Sequence, residues 1–142
     1  MKNCMFLVLL CLVSMPIFSQ NIVWETDYPT ALSKAQQDNK ILVIYFNNGQ
    51  SPSLERVIKK RILKSNEFKN HSNSIVGLLI ENTNNNDEHR YNSRVISGYN
   101  KDKVFPAISV IHFKARKYLP LLTKFEDVNI ASFLNKFKDL SN

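Results

Sequence analysis

The sequence ILVIYFNNGQSPSL, residues 41–54, decides the fold of this chain. Its first six residues, 41–46, are all apolar. Such a run predicts a strand covered on both faces, as in a parallel or mixed sheet between helices. Residues 47–50 predict a turn, and Ser51 followed by Pro52 is typical of an N-cap and a first helical residue. The stretch therefore predicts a buried strand, a turn and a helix that begins at Pro52.

The helix that follows this turn is predicted to be amphipathic, with an apolar face and a basic face. The apolar positions are Leu54, Val57, Ile58 and Ile62, and the basic positions are Arg56, Lys59, Lys60 and Lys64. A solvated helix face is the simplest interpretation of these charges, and binding of an anionic glycan, lipid headgroup or nucleic acid is an alternative. Specific nucleic-acid recognition is not predicted, because no stacking aromatic residues are interleaved with the charges.

The sequence on either side predicts the remaining elements of one domain. In chain order we expect a helix capped by Asp27, a short helical turn after Ser65, a strand over 75–80 interrupted by Gly77, a helix over 89–98, a strand over 104–113, an edge strand over 118–125 and a helix capped by Asp127. This alternation predicts an α/β sandwich around a mixed sheet of about four to five strands.

Residues 1–20 have the features of a secretory signal peptide. Lys2 supplies a positive charge, an apolar run covers residues 6–13, and cleavage is expected near Ser19 or Gln20. We therefore predict an exported protein, periplasmic or extracellular. The alternative is a retained anchor, although the apolar run is shorter than the roughly 20 residues of a spanning helix. No stable membrane span is expected after cleavage.

The expected mature domain, residues 21–142, contains no cysteine, because Cys4 and Cys11 both lie in the signal segment. Removal of this segment takes away Lys2 and lowers the formal charge from +7 to +6. Small exported domains often depend on disulfides. Here stability has to come from the core, and no metal or cofactor is predicted, since the histidines lack the spacing of metal ligands.

Several features together resemble the exported proteins of the thioredoxin-like family. They are Trp24 before the first helix, Lys40 leading into the strand over 41–46, a helix that opens just past that strand, and Pro106 entering the next-to-last strand. The resemblance covers residues 21–142. It implies a three-layer sandwich with helices on both faces of the sheet.

The resemblance also implies that the redox activity of the family is lost. Ser51, Pro52, Ser53 and Leu54 occupy the position of its Cys-x-x-Cys motif. A serine hydroxyl cannot form a disulfide and a leucine cannot resolve one. No cysteine in residues 21–142 can substitute, so we do not expect a thiol-disulfide oxidoreductase.

A second implication of the resemblance concerns Phe105 and Pro106. They match the position of a cis-proline that faces the active-site turn, here near Gly49, and whose preceding residue pairs through its main chain with an extended peptide. This pairing needs no thiol. We therefore expect an adaptor, inhibitor or chaperone-like module with an unidentified protein or peptide partner. A proline retained only for the fold is the alternative.

An enzyme with non-thiol chemistry at Ser51 is a further hypothesis. It requires a general base within hydrogen-bond reach of the serine hydroxyl. The three histidines, His71, His89 and His112, are scattered, and no motif links them to Ser51.

Overall fold

The structure, a computed structural model, describes residues 21–82 and 86–142, with the side chains of 86–90 not described. The expected signal segment and both cysteines lie outside these residues. In chain order the elements are β1 (Trp24–Glu25), α1 (Tyr28–Gln37), β2 (Ile41–Asn47), α2 (Pro52–Ile58), α3 (Asn66–Asn70), β3 (Ile75–Glu81), α4 (Asn86–Tyr99), β4 (Ala107–His112), β5 (Lys117–Tyr118) and α5 (Asp127–Ser141). A π-helical turn, Lys59–Leu63, continues α2, and a 3-10 turn, Ser72–Ser74, precedes β3.

The five strands form one mixed sheet in the order β1-β3-β2-β4-β5. Both β1 and β2 run parallel to β3, whereas β4 is antiparallel to β2 and to β5. At the centre, Ile44 of β2 faces Leu78 of β3 and Ser109 of β4. The predicted α/β sandwich with helices on both sheet faces is confirmed.

The strand β2 contributes to two hydrophobic cores, one on each face of the sheet. Ile41, Val43 and Tyr45 belong to the core that also contains residues of α3 and α5. The intervening residues, Leu42, Ile44 and Phe46, belong to the core beneath α1 and α4. All six are buried, since successive side chains of a strand point to opposite faces. This burial explains the unbroken apolar run over 41–46.

The helix α2 agrees with its predicted amphipathic pattern in part. Ile58 and Ile62 are fully buried, as predicted. Leu54 was expected on the same buried face but is 38% exposed. It belongs to the first turn of the helix, ahead of Ile58, the first fully buried residue of α2, so its side chain extends beyond the core.

The short strand β1 explains the glycine in β3. Trp24 pairs with Gly77, and a Cβ atom at Gly77 would lie 2.7 Å from Cδ2 of the Trp24 ring. The indole also meets the ring of Tyr45 edge-on, with centroids 6.4 Å apart. Gly77 therefore makes room for Trp24 to lie across the sheet. The sequence did not predict β1.

Several element boundaries follow the predicted helix caps. The Asp27 carboxylate accepts a hydrogen bond from the main-chain N–H of Thr30 at 2.9 Å, and the hydroxyl of Ser65 accepts one from the N–H of Phe68 at 3.3 Å. At the last helix the cap is one residue earlier than predicted, since Glu126 occupies the N-cap and Asp127 begins α5.

The last strand is shorter than predicted. Only Lys117–Tyr118 pairs regularly with β4, and a single bridge joins Ile108 to Leu122 further on. Pro120 lies between them and has no N–H to donate to a ladder. The edge strand expected over 118–125 is therefore interrupted.

Candidate functional site

Three segments of the chain meet at one end of the sheet. Asn47, the last residue of β2, pairs with Glu81, the last residue of β3, and Phe46 pairs with Ala107, the first residue of β4. The N–H of Asn82 also donates to the carbonyl of Asn47 at 2.8 Å. The turn before α2, the residues after β3 and the segment before β4 therefore lie side by side.

The turn between β2 and α2 is closed by its own side chains. The Asn47 side chain accepts a hydrogen bond from the N–H of Gly49, and the Asn48 side chain accepts one from Gln50, both at 3.1 Å. Gly49 has a φ of 71°, in the left-handed region that favours glycine. Gly49 is exposed, and the conformation of the turn accounts for its presence there.

The helix α2 begins at Pro52 as predicted, but Ser51 does not cap it through its side chain. The ψ of Ser51 is 69°, outside the extended geometry usual for an N-cap residue. Ser51 is half-buried, while Pro52, Ser53 and Leu54 are exposed. Ser51 therefore occupies the predicted N-cap position, but its hydroxyl makes no capping hydrogen bond.

The histidines whose side chains are described lie away from Ser51. His71 precedes β3 and His112 ends β4, so both are at the opposite end of the sheet. The ring Nδ1 of His71 contacts the carbonyl of Glu67 at 2.8 Å. His89 lies outside the described side chains. The described residues also contain no group of three or more His, Cys, Asp or Glu side chains that could hold a metal ion.

Phe105 and Pro106 lie next to this turn and join through a cis peptide bond. Pro106 is buried, and Phe105 is half-buried against the core beneath α1 and α4. Within residues 21–82 and 86–142, nothing forms a hydrogen bond with the main-chain N–H or C=O of Phe105. The main-chain donor and acceptor of Phe105, just before β4, thus have no partner among the described residues.

Asn100 holds the segment that leads to Phe105, and the sequence pattern did not reveal this role. Its side chain is fully buried, accepts a hydrogen bond from the N–H of Val104 at 3.1 Å and donates one to the carbonyl of Val104 at 2.8 Å. Its own carbonyl accepts from the N–H of Lys103 at 2.9 Å. Asparagine after a helix is common, so the sequence carried only a weak signal.

A buried tyrosine lies on the α2 side of the sheet near the same end. Tyr45 is 4% exposed, and its hydroxyl has no hydrogen-bond partner in the part of the chain that the structure describes. Burial, and secondarily the negative charge of Glu55 in α2, raises the pKa of Tyr45 to about 12. The phenol therefore stays neutral at physiological pH.

The basic positions of α2 and its π-helical turn are exposed, as their pattern predicted. They are Arg56, Lys59, Lys60 and Lys64. Within the described residues none of these four forms an ion pair. The neighbouring Arg61 is instead paired with Asp127 at the start of α5. The arrangement leaves four cations on one stretch of helix surface.

Comparisons with known proteins establish the fold. No family model and no curated protein matches the sequence. Among solved structures, the chain is similar to a DsbH oxidoreductase, with a TM-score of 0.66, 22% identity, and coverage of 89% of this chain and 91% of the other. The chain is also similar to a thioredoxin from Thermus thermophilus, with a TM-score of 0.60 and 18% identity. The match covers 84% of this chain and 87% of the thioredoxin.

A third similar structure is a disulphide isomerase from Xylella fastidiosa Temecula1, with a TM-score of 0.54, 16% identity, and coverage of 82% of this chain and 96% of the other. These similarities and the sheet order define a protein of the thioredoxin-like fold. The neighbours include enzymes of disulfide chemistry. In the described part of this chain, no helix is both long enough and apolar enough to cross a membrane.

Proposed function

We propose that this chain is an exported, redox-inactive thioredoxin-fold protein that binds an extended segment of a protein or peptide partner through the main chain of Phe105. The observation that carries the proposal is that the N–H and C=O of Phe105 have no hydrogen-bond partner among the described residues. The residues on either side are fixed in place. Val104 is hydrogen-bonded to the Asn100 side chain, and Ala107 pairs with Phe46 in the sheet. An unpaired edge with fixed neighbours is suited to accept a strand from another chain.

The loss of thiol chemistry is part of the same proposal. Ser51 and Leu54 lie at the start of α2, where a Cys-x-x-Cys motif would act, and residues 21–142 contain no cysteine. Neither residue can form the mixed disulfide on which thiol exchange depends. We therefore expect the domain to hold its partners by non-covalent binding, without a disulfide bond to them.

Exposed apolar side chains near the candidate edge support a peptide-binding surface. Leu54, in the first turn of α2, is 38% exposed, and Val104, next to Phe105, is 39% exposed. Both belong to segments that meet at the same end of the sheet. Apolar groups beside an unpaired main-chain edge give a bound peptide both hydrogen bonds and side-chain contacts.

The test uses residues 21–142 and a displayed library of random 12-residue peptides, followed by fluorescence anisotropy with the selected peptides. N-methylation of the peptide residue that pairs with Phe105 removes its donor and should weaken binding about tenfold. Phe105→Ala keeps the main chain but removes the ring that packs it against the core, so it should also weaken binding, whereas Phe113→Ala should not. Phe113 is a matched control, since it is also half-buried against the same core but follows the far end of β4.

Two results would overturn the proposal. One is turnover of insulin disulfides by the purified domain, which would show a redox activity that residues 21–142 should lack. The other is the recovery of no peptide by the wild-type domain, or of peptides whose affinity is equally insensitive to N-methylation and to Phe105→Ala.

The exposed cations of α2 favour a second candidate function, binding of an anionic polymer. Lys59 and Lys60 lie in the π-helical turn without ion-pair partners among the described residues. The double change Lys59→Glu and Lys60→Glu should shorten retention on heparin more than Lys136→Glu and Lys138→Glu in α5, which alters the net charge equally. Equal shifts would show that only net charge matters and would reject a binding face on α2.

A further inference from the structure

A small pocket adjoins Phe105 on the side of α4. It has a volume of about 150 Å³ and is lined by Asn82, Ser93, Ile96, Lys103 and Phe105. Pockets that bind cofactors or drug-sized ligands usually measure roughly 300–1,000 Å³. This pocket therefore has room for one side chain or one terminal group, and not for a larger ligand.

The lining combines one cation with polar and apolar residues. Lys103 supplies the positive charge, Asn82 and Ser93 are polar, and Ile96 and Phe105 are apolar. Among the residues that the structure describes, no lining residue is acidic, and Lys103 forms no ion pair. This composition is complementary to a carboxylate on a short aliphatic stem.

The position of Lys103 is set by the fold. Its φ of 51° places it in a left-handed turn, and its N–H donates to the carbonyl of Asn100 at 2.9 Å. Asn100 also fixes Val104 through its side chain, so one residue holds the main chain of both Lys103 and Val104, which precedes the candidate pairing edge. The main chain that carries Lys103 is therefore ordered before any ligand binds, so its ordering adds no entropic cost to recognition.

We propose that this pocket receives a carboxylate of the peptide bound at Phe105, with Lys103 as its positive partner. The inference rests on the proposed peptide-binding function and specifies its ligand. Because the pocket shares Phe105 with the pairing edge and a strand advances about 3.3 Å per residue, the carboxylate belongs within about two residues of the paired position. An aspartate or glutamate side chain and a free C-terminus are the two sources of this group.

The test compares peptides selected by the wild-type domain, by Lys103→Glu and by Lys101→Glu. Lys101 is a matched control because it is exposed and does not line the pocket. Its substitution by Glu changes the net charge by the same amount. The selected peptide is then synthesised with Glu, Gln or Lys at the preferred position, and with a free or an amidated C-terminus. Affinity is measured by fluorescence anisotropy at low and high salt.

We expect an acidic residue to be enriched with the wild type and with Lys101→Glu, and a basic one with Lys103→Glu. Replacing that Glu by Gln should weaken binding to the wild type about fivefold, as for a partly exposed ion pair, and high salt should reduce the difference. If the C-terminus is the source, amidation produces the loss instead.

The failures of the two proposals are distinguishable. Peptides that bind and depend on Phe105, but show no carboxylate preference, would reject the pocket and leave the peptide edge standing. Equal responses to Lys103→Glu and Lys101→Glu would also reject the pocket. If no peptide binds, both proposals fail together.

Discussion

The side-chain amide of Asn100 binds the main chain of Val104 twice, accepting from its N–H at 3.1 Å and donating to its C=O at 2.8 Å. Both groups of Val104 are thereby satisfied without a neighbouring strand. Phe105, the next residue, keeps its own groups unpaired within the described part of the chain. One buried polar side chain thus holds the residue that precedes the candidate binding edge.

Asn100→Ala should destabilise the domain by about 2 kcal/mol, because it removes a fully buried side chain and both of its hydrogen bonds to the main chain of Val104. Urea unfolding of residues 21–142 measures this loss. Asn135→Ala, at an exposed position of α5, is the control and should change stability by less than about 0.5 kcal/mol. Equal effects of the two changes would show that the contacts of Asn100 contribute nothing specific.

Gly77→Ala should destabilise the domain by about 1–3 kcal/mol, since its Cβ would lie 2.7 Å from the Trp24 ring and force the indole to move. Gly98→Ala, within α4, is the matched control, because a Cβ there meets nothing within 4 Å. It should stabilise the helix by about 0.5–1 kcal/mol. Thermal unfolding followed by Trp24 fluorescence distinguishes the two. A neutral Gly77→Ala would contradict the packing described for β1.

Ser65→Ala should cost about 1 kcal/mol, because the hydroxyl of Ser65 accepts a hydrogen bond from the N–H of Phe68. Ser51→Ala, which removes the same group from a residue that makes no capping bond, should change stability by less than about 0.5 kcal/mol. Denaturant midpoints of the two variants provide the comparison. A larger loss for Ser51→Ala would restore the capping role predicted from the sequence.

Tyr45→Phe should leave stability at pH 7 unchanged or raise it by up to about 1 kcal/mol. The hydroxyl is buried without a partner among the described residues, so its removal relieves a desolvation cost. Tyr118→Phe, at a position 78% exposed, is the control and should be neutral. A clear loss of stability in Tyr45→Phe would show that the hydroxyl makes a favourable interaction.

The same residue predicts a loss of stability at high pH. The pKa of Tyr45 is about 12 in the folded protein, above its ordinary value of 10.0, so the unfolded chain releases the proton first. The contribution of Tyr45 to the free energy of unfolding is therefore fully present below pH 10. It is lost as the pH rises toward 12, which lowers stability by up to about 2 kcal/mol. Tyr45→Phe should lack this part of the decline. Tyr28, whose pKa burial also raises, remains in both proteins and cancels in the difference.

Element types could be predicted from local patterns. The strand over 41–46, the helix start at Pro52 and the terminal helix are all confirmed. These predictions succeeded because burial on both faces, or on one face, imposes a periodicity on the chain itself. The edge strand was less predictable, since Pro120 interrupts a pairing that depends on β4.

The candidate site was predictable only in outline. Resemblance pointed to Ser51, Leu54, Phe105 and Pro106, whereas Asn100 and Lys103 were not singled out. Polar residues after a helix are typical of any loop. The sequence pattern therefore does not predict which of them form specific contacts. Leu54 was predicted to be buried but is exposed. Helical spacing predicts which residues share a face, but it does not say where the neighbouring core ends.

By itself the sequence determined the α/β sandwich, the absence of cysteine from residues 21–142 and the basic character of α2. These properties follow from composition and from the local periodicity of single elements. The tertiary structure decided which main-chain groups remain unpaired, that the Ser51 hydroxyl caps nothing, and that Lys103 lines a pocket beside Phe105. The unpaired groups and the pocket depend on contacts between residues far apart in the chain, which local pattern does not encode, and the missing cap follows from the ψ of 69° at Ser51.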